Sequence, residues 1–75
     1  MLSTATMQDY EEGYASGVEW GEADVREQRS TAAGLDQLAE EATTAAQRWS
    51  RAYYLGAMRG YRSVIRTRKG GRWGT

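Results

Sequence analysis

Residues 12–25 read EGYASGVEWGEADV, and residues 53–64 read YYLGAMRGYRSV. Both stretches contain the pattern Tyr-xx-Gly-xxx-Gly-xxx-Val, the second at an offset of 39 residues from the first. The match covers four positions, which favours shared packing demands over duplication. Because a glycine inside a helix costs about 1 kcal/mol relative to alanine, these glycines indicate helices that approach each other closely.

The apolar spacing predicts an all-α fold. No segment alternates with period 2, and the chain contains no proline that would interrupt a helix. We predict one domain over residues 1–75, with a helix over about 7–29, a turn over about 30–35, a longer helix over about 36–69 and a frayed tail over 70–75. The two helices form an antiparallel hairpin, and two hairpins are expected to dimerise into a four-helix bundle.

The heptad positions predict how the two helices of this hairpin pack. Folding the chain near position 33 places large residues of one helix opposite small residues of the other. Tyr10 then faces Gly56 and Gly17 faces Trp49, and such alternation fills space without voids. The predicted packing residues are Tyr10, Tyr14, Gly17, Gly21, Trp49, Ala52 and Gly56.

The longer second helix extends beyond its partner and carries a second apolar stripe. Tyr54, Met58, Tyr61 and Ile65 recur at helical spacing on a face that the hairpin leaves uncovered. Contiguous exposed apolar residues usually mark an interface, so we expect self-association through this stripe. Two alternatives stay open: the stripe belongs to an ordinary core in a different register, or it binds a different protein.

The composition argues against several classes of function. The 75 residues include no cysteine and no histidine, so thiol chemistry and histidine-based general acid–base catalysis are absent, and we predict neither catalysis nor a cofactor or metal site. No run of about 18 apolar residues indicates a membrane span. The first residues lack the basic region of a secretory signal, so the expected location is cytoplasmic.

Charge is divided between the two halves of the chain. Residues 1–41 contain all ten acids and two arginines, a net charge of −8, whereas residues 42–75 contain eight bases and no acid, a net charge of +8. The two arms of a hairpin could neutralise each other, or the basic arm could contact nucleic acid or an acidic partner. The candidate nucleic-acid contacts are Arg59, Arg62, Arg66, Arg68, Lys69 and Arg72.

Two short motifs carry a family resemblance. Residues 12–17, EGYASG, and residues 54–56, YLG, make the chain resemble ribosome modulation factor, a small bacterial two-helix protein. The resemblance implies ribosome binding. In size, arginine bias and Gly-Tyr content the chain also looks like small orphan proteins of actinobacterial phages, which implies binding to a host protein.

Together these features predict a non-catalytic helical interaction protein. It is expected to form a homodimer through the apolar stripe and to bind and modulate a host or cellular protein. The alternative is a ribosome- or nucleic-acid-binding protein that uses the basic C-terminal arm.

Overall fold

The structure, a computed structural model, describes residues 4–67 of the chain, with side chains from Thr6 onward. It contains three helices: α1 (Thr4–Arg26), α2 (Thr31–Thr44) and α3 (Arg48–Ile65). The all-α prediction is confirmed, but the two-helix antiparallel hairpin is wrong, because the predicted second helix is divided at residues 45–47. The predicted end of that helix near residue 69 and the frayed tail over 70–75 lie outside the described residues.

A tight backbone motif ends α1. The Arg29 amide donates to the Asp24 carbonyl at 2.8 Å, and the Gln28 amide donates to the Val25 carbonyl at 3.2 Å. This pair of hydrogen bonds is the Schellman arrangement, in which the residue after the helix adopts a left-handed conformation. Gln28 occupies that position with φ 59°, where glycine is the usual residue.

The boundaries of α2 are set by hydroxyl side chains. Ser30 caps its start by accepting a hydrogen bond from the Ala33 amide at 3.2 Å. At its end, the hydroxyls of Thr43 and Thr44 donate back to carbonyls of the preceding turn, each at 2.9 Å. Ala45 then leaves the helical region with ψ 128°. The chain reverses there, so α3 folds back along α2 instead of continuing it.

The helices α1 and α3 pack side by side and run parallel. Residue numbers increase in the same direction along both helices, and the two backbones are in contact. Four glycines meet carbonyl oxygens of the facing helix: Gly13 meets Tyr53, Gly17 meets Ala57, Gly56 meets Tyr10, and Gly60 meets Tyr14. A Cβ atom at any of these positions would overlap that carbonyl group. The contacts are reciprocal, so an approximate two-fold axis relates α1 to α3. Equivalent residues, such as Gly13 and Gly56, are 43 positions apart in the chain, whereas the repeated sequence pattern has an offset of 39.

The parallel arrangement corrects the predicted packing partners. Tyr10 and Gly56 do meet, as predicted. Gly17 faces the backbone of Ala57 instead of Trp49, whose side chain is 53% exposed.

The other predicted packing residues lie at or beside the same contact. Gly21 faces Tyr61 and Val64, and Ala52 is buried. Tyr14 lies with its backbone against Gly56 and Gly60, while its residue surface is 37% exposed.

The predicted apolar stripe packs partly against α2. Tyr61 is 1% exposed and forms a core with Leu38 of α2 and Ala57. Around this core pack Leu35, Tyr54, Met58 and Ile65. Since α2 runs antiparallel to α3 and packs on this face, Tyr61 is buried while Tyr54, Met58 and Ile65 are half-buried. Self-association through the stripe stays a prediction.

Gly17→Leu is expected to lower the free energy of unfolding by about 3 kcal/mol, because its side chain would separate the α1 and α3 backbones. The added side chain would overlap the Ala57 backbone, and not Trp49, which was the predicted partner of Gly17. Urea denaturation measures the change. The matched control is Ala15→Leu on the exposed side of α1, which should change stability by no more than about 0.5 kcal/mol. Equal stability of the two variants would refute the parallel packing.

Gln28→Gly is expected to raise the free energy of unfolding by about 0.5–1 kcal/mol, because glycine adopts φ 59° without steric cost. Gln28→Val should lower it by about 1 kcal/mol or more, since a branched side chain resists that conformation. Thermal unfolding of the two variants should therefore bracket the parent. A destabilised glycine variant would contradict the left-handed ending of α1.

Candidate functional site

The outer face of α3 carries an uninterrupted set of cations. Arg59, Arg62 and its C-cap residue Arg66 follow one another at helical spacing, and all three are exposed. They make no ion pair with any residue in the described range 6–67. All three border the same groove, so their side chains share one surface of the molecule.

These arginines line one side of a groove between α1 and α3. The groove has a volume of about 650 Å³ and is bounded on the α1 side by Tyr10 and Tyr14. Leu55, which is 46% exposed, and Met58 contribute apolar surface to the same groove. The remaining lining residues are Arg59, Arg62, Ser63, Arg66 and Thr67. It contains no acidic side chain among the described residues.

Charge is segregated by helix. α1 has six acidic residues and one basic residue, and α2 has three acidic residues and none that is basic. α3 has four arginines and no acid. Ion pairs join Arg29 to Asp24 at 3.3 Å and to Glu27 at 2.5 Å, both in the α1–α2 region. Within the described residues, the arginines of α3 are therefore not neutralised by direct pairing with α1 or α2.

A second cavity, of about 510 Å³, lies where the three helices meet. Beside it, the buried Tyr61 hydroxyl donates a short hydrogen bond to the Asp24 carboxylate. Burial, together with this hydrogen bond and the Asp24 charge, raises the pKa of Tyr61, and the charge of Arg29 opposes the increase. Gly34 of α2 lies directly against the phenol ring, where a Cβ would overlap the hydroxyl oxygen.

The structure brings together only part of the predicted site. It places Arg59, Arg62 and Arg66 at one groove, whereas Arg68, Lys69 and Arg72 lie outside the described residues. The groove residue Leu55 was not predicted, and Tyr10 and Tyr14 were predicted as packing residues only. Their position beside the arginines depends on the parallel pairing of α1 and α3, for which the repeated glycine pattern is the one available sequence signal.

No group of three acidic side chains among the described residues is placed to share a metal ion. None of the described helices is long and apolar enough to span a membrane. Comparison of the chain with protein-family models, curated proteins and solved structures gave no match.

The raised pKa of Tyr61 predicts how stability depends on pH. Above pH 10, the ordinary pKa of tyrosine, the unfolded chain loses the Tyr61 proton while the folded chain retains it. The free energy of unfolding should therefore fall as pH rises above 10, by at most about 1.4 kcal/mol per pH unit for this one proton.

Tyr61→Phe removes the titrating group, so its stability should decline less steeply than that of the parent between pH 10 and 11.5. Denaturant titrations at several pH values measure the difference, with Tyr10→Phe at the half-buried groove position as the control. Parallel pH profiles for the parent and Tyr61→Phe would contradict the buried hydrogen bond to Asp24.

Proposed function

We propose that this chain is a non-catalytic binding protein that docks an acidic, amphipathic segment of another protein in the groove between α1 and α3. The observation that carries the proposal is the joint presence of three unpaired arginines and exposed apolar side chains in one groove. We further propose that the partner is cytoplasmic and that docking modulates its activity.

The lining of the groove favours a protein over a purely ionic ligand. Leu55, Met58 and Tyr14 offer contact area that acidic groups alone would leave unused. Tyr, Met and Arg are the residue types enriched in the cores of protein interfaces. An amphipathic segment can place apolar anchors on Leu55 and Met58 while its carboxylates meet the arginines at the rim.

The charge distribution supports the same occupant. The acidic residues of α1 and α2 would repel an extended polyanion that crossed the whole molecule, but not a short acidic segment confined to the groove. Complementary charge at the rim would also increase the rate of encounter and fix the orientation of the partner.

RNA is the second candidate occupant, and the Arg–Tyr juxtaposition favours it. Arginines would contact phosphates while Tyr10 or Tyr14 stacks on a base. Three phosphate contacts to a single strand predict a slope of about −2 when the logarithm of the binding constant is plotted against that of salt concentration. A 20-nucleotide polyuridine provides a defined probe.

Photocrosslinking from the groove tests the proposal. We would replace Leu55, which is 46% exposed, with benzoylphenylalanine in the full chain and irradiate it in an actinobacterial lysate with and without nuclease. The expected product is a crosslink to one protein that survives nuclease. Charge reversal with Arg59→Glu and Arg62→Glu should reduce its yield at least about tenfold, because two groove contacts become repulsive.

The matched control carries Arg26→Glu and Arg48→Glu, two exposed arginines outside the groove that change the net charge equally. It should crosslink like the parent. Equal loss in both double variants would show that net charge, and not the groove, governs binding. Crosslinks to RNA, or only to a second copy of the chain, would replace the proposed occupant, and an absence of crosslinks would end the docking proposal.

A further inference from the structure

The cavity where the three helices meet has walls of aromatic rings. Trp20 of α1 and Tyr53 and Tyr54 of α3 all line it. The ring centroids of Trp20 and Tyr53 are 6.3 Å apart with an angle of 65° between the ring planes. For Tyr53 and Tyr54 the centroid distance is 5.4 Å and the interplanar angle is 89°. In such edge-to-face pairs the ring that presents its edge keeps both faces free of its neighbour, so the contacts between these rings leave π faces unstacked.

One hydrogen bond holds the Tyr53 ring in place, and the cavity remains accessible. The Tyr53 hydroxyl donates to the Ser16 hydroxyl at 3.0 Å, which fixes the central ring of the three. Trp20 is 40% exposed, so the cavity opens to solvent on that side. Its volume of about 510 Å³ falls within the range of small-ligand sites, about 300–1,000 Å³.

The charges around the cavity favour a cation. Asp24, Glu41 and Arg29 contribute the charged groups of the lining. Arg29 is already paired with Asp24 and with Glu27 outside the cavity. Glu41 is half-buried, and its carboxylate makes no ion pair with a residue of the described range. One negative charge beside the three rings therefore has no counterion within the described part of the protein.

We infer that this cavity binds an organic ammonium cation, with Trp20, Tyr53 and Tyr54 contacting its methyl groups and Glu41 supplying the opposite charge. Aromatic faces attract cations electrostatically, and quaternary ammonium groups, which cannot donate hydrogen bonds, are recognised in this way. The site shares no lining residue with the groove between α1 and α3, so it does not depend on the function proposed for that groove.

The test is an NMR titration of the full chain that follows the indole N–H resonance of Trp20. The first probe is choline chloride, with equal sodium chloride as the salt control. The second probe is 3,3-dimethylbutanol, the uncharged carbon analogue of choline. We expect saturable shifts with choline and binding at least about tenfold weaker with the alcohol, because only the cation interacts with the π faces and Glu41.

Three variants locate the site. Trp20→Ala should weaken choline binding at least about tenfold and Glu41→Gln about threefold, whereas Trp49→Ala, a change at an exposed tryptophan outside the cavity, should leave it unchanged. Shifts of Tyr53 and Tyr54 ring protons report binding in the Trp20 variant, and its far-ultraviolet circular dichroism checks that it is folded. The comparison of choline with the alcohol tests the inference even if that variant unfolds.

A further titration identifies the source of the cation. It uses two short peptides of otherwise neutral sequence, one with trimethyl-lysine and one with unmodified lysine. Tighter binding of the trimethylated peptide than of choline assigns the site to methylated lysine of a protein, and the reverse order assigns it to a free ammonium metabolite; both support the inference. Equal binding of choline and the alcohol, or no saturable shift with either cation, would overturn it.

Discussion

The contact between the α1 and α3 backbones is the constraint on which the rest of the structure depends. Glycines on both helices remove the side chains that would hold the two axes apart, and each places its Cα against a carbonyl of the other helix. Close approach of this kind permits Cα–H···O contacts and dense van der Waals packing, which offset the cost of glycine in a helix. Small residues spaced four apart produce the same geometry between helices in membranes, and here it operates between helices that are rich in charge.

The same contact explains where the large side chains lie. With glycine and alanine in the centre of the contact, the aromatic residues of α1 and α3 are displaced to its two flanks. Tyr10 and Tyr14 border the basic groove on one flank. Trp20 and Tyr53 border the aromatic cavity on the other, where α2 closes the third side. Both candidate sites are thus products of one packing arrangement, although they differ in charge and in the ligands they favour.

The sequence was sufficient for some of these features. Helical periodicity was sufficient to predict the all-α class. The unfavourable free energy of glycine inside a helix was sufficient to predict that two helices approach each other closely. Both inferences depend only on local spacing. The three groove arginines were among the basic residues predicted as candidate contacts, on the basis of charge alone. The break at residues 45–47 could not be predicted, since Thr43 and Thr44 are followed by two alanines and a glutamine, with neither glycine nor proline to mark it. Without that break the helices are antiparallel, Trp49 enters the core and Tyr61 faces solvent, so three errors share one cause.

Three helices that alternate in direction also determine where the two ends of the described chain emerge. α1 begins at one end of the body and α3 finishes at the other, since the two are parallel and in register. A helix of 23 residues spans about 35 Å, so Thr4 and Thr67 are separated by roughly the length of the molecule. Two domains fused to the two ends would be kept apart by about the length of α1, whereas an antiparallel hairpin would have placed them next to each other.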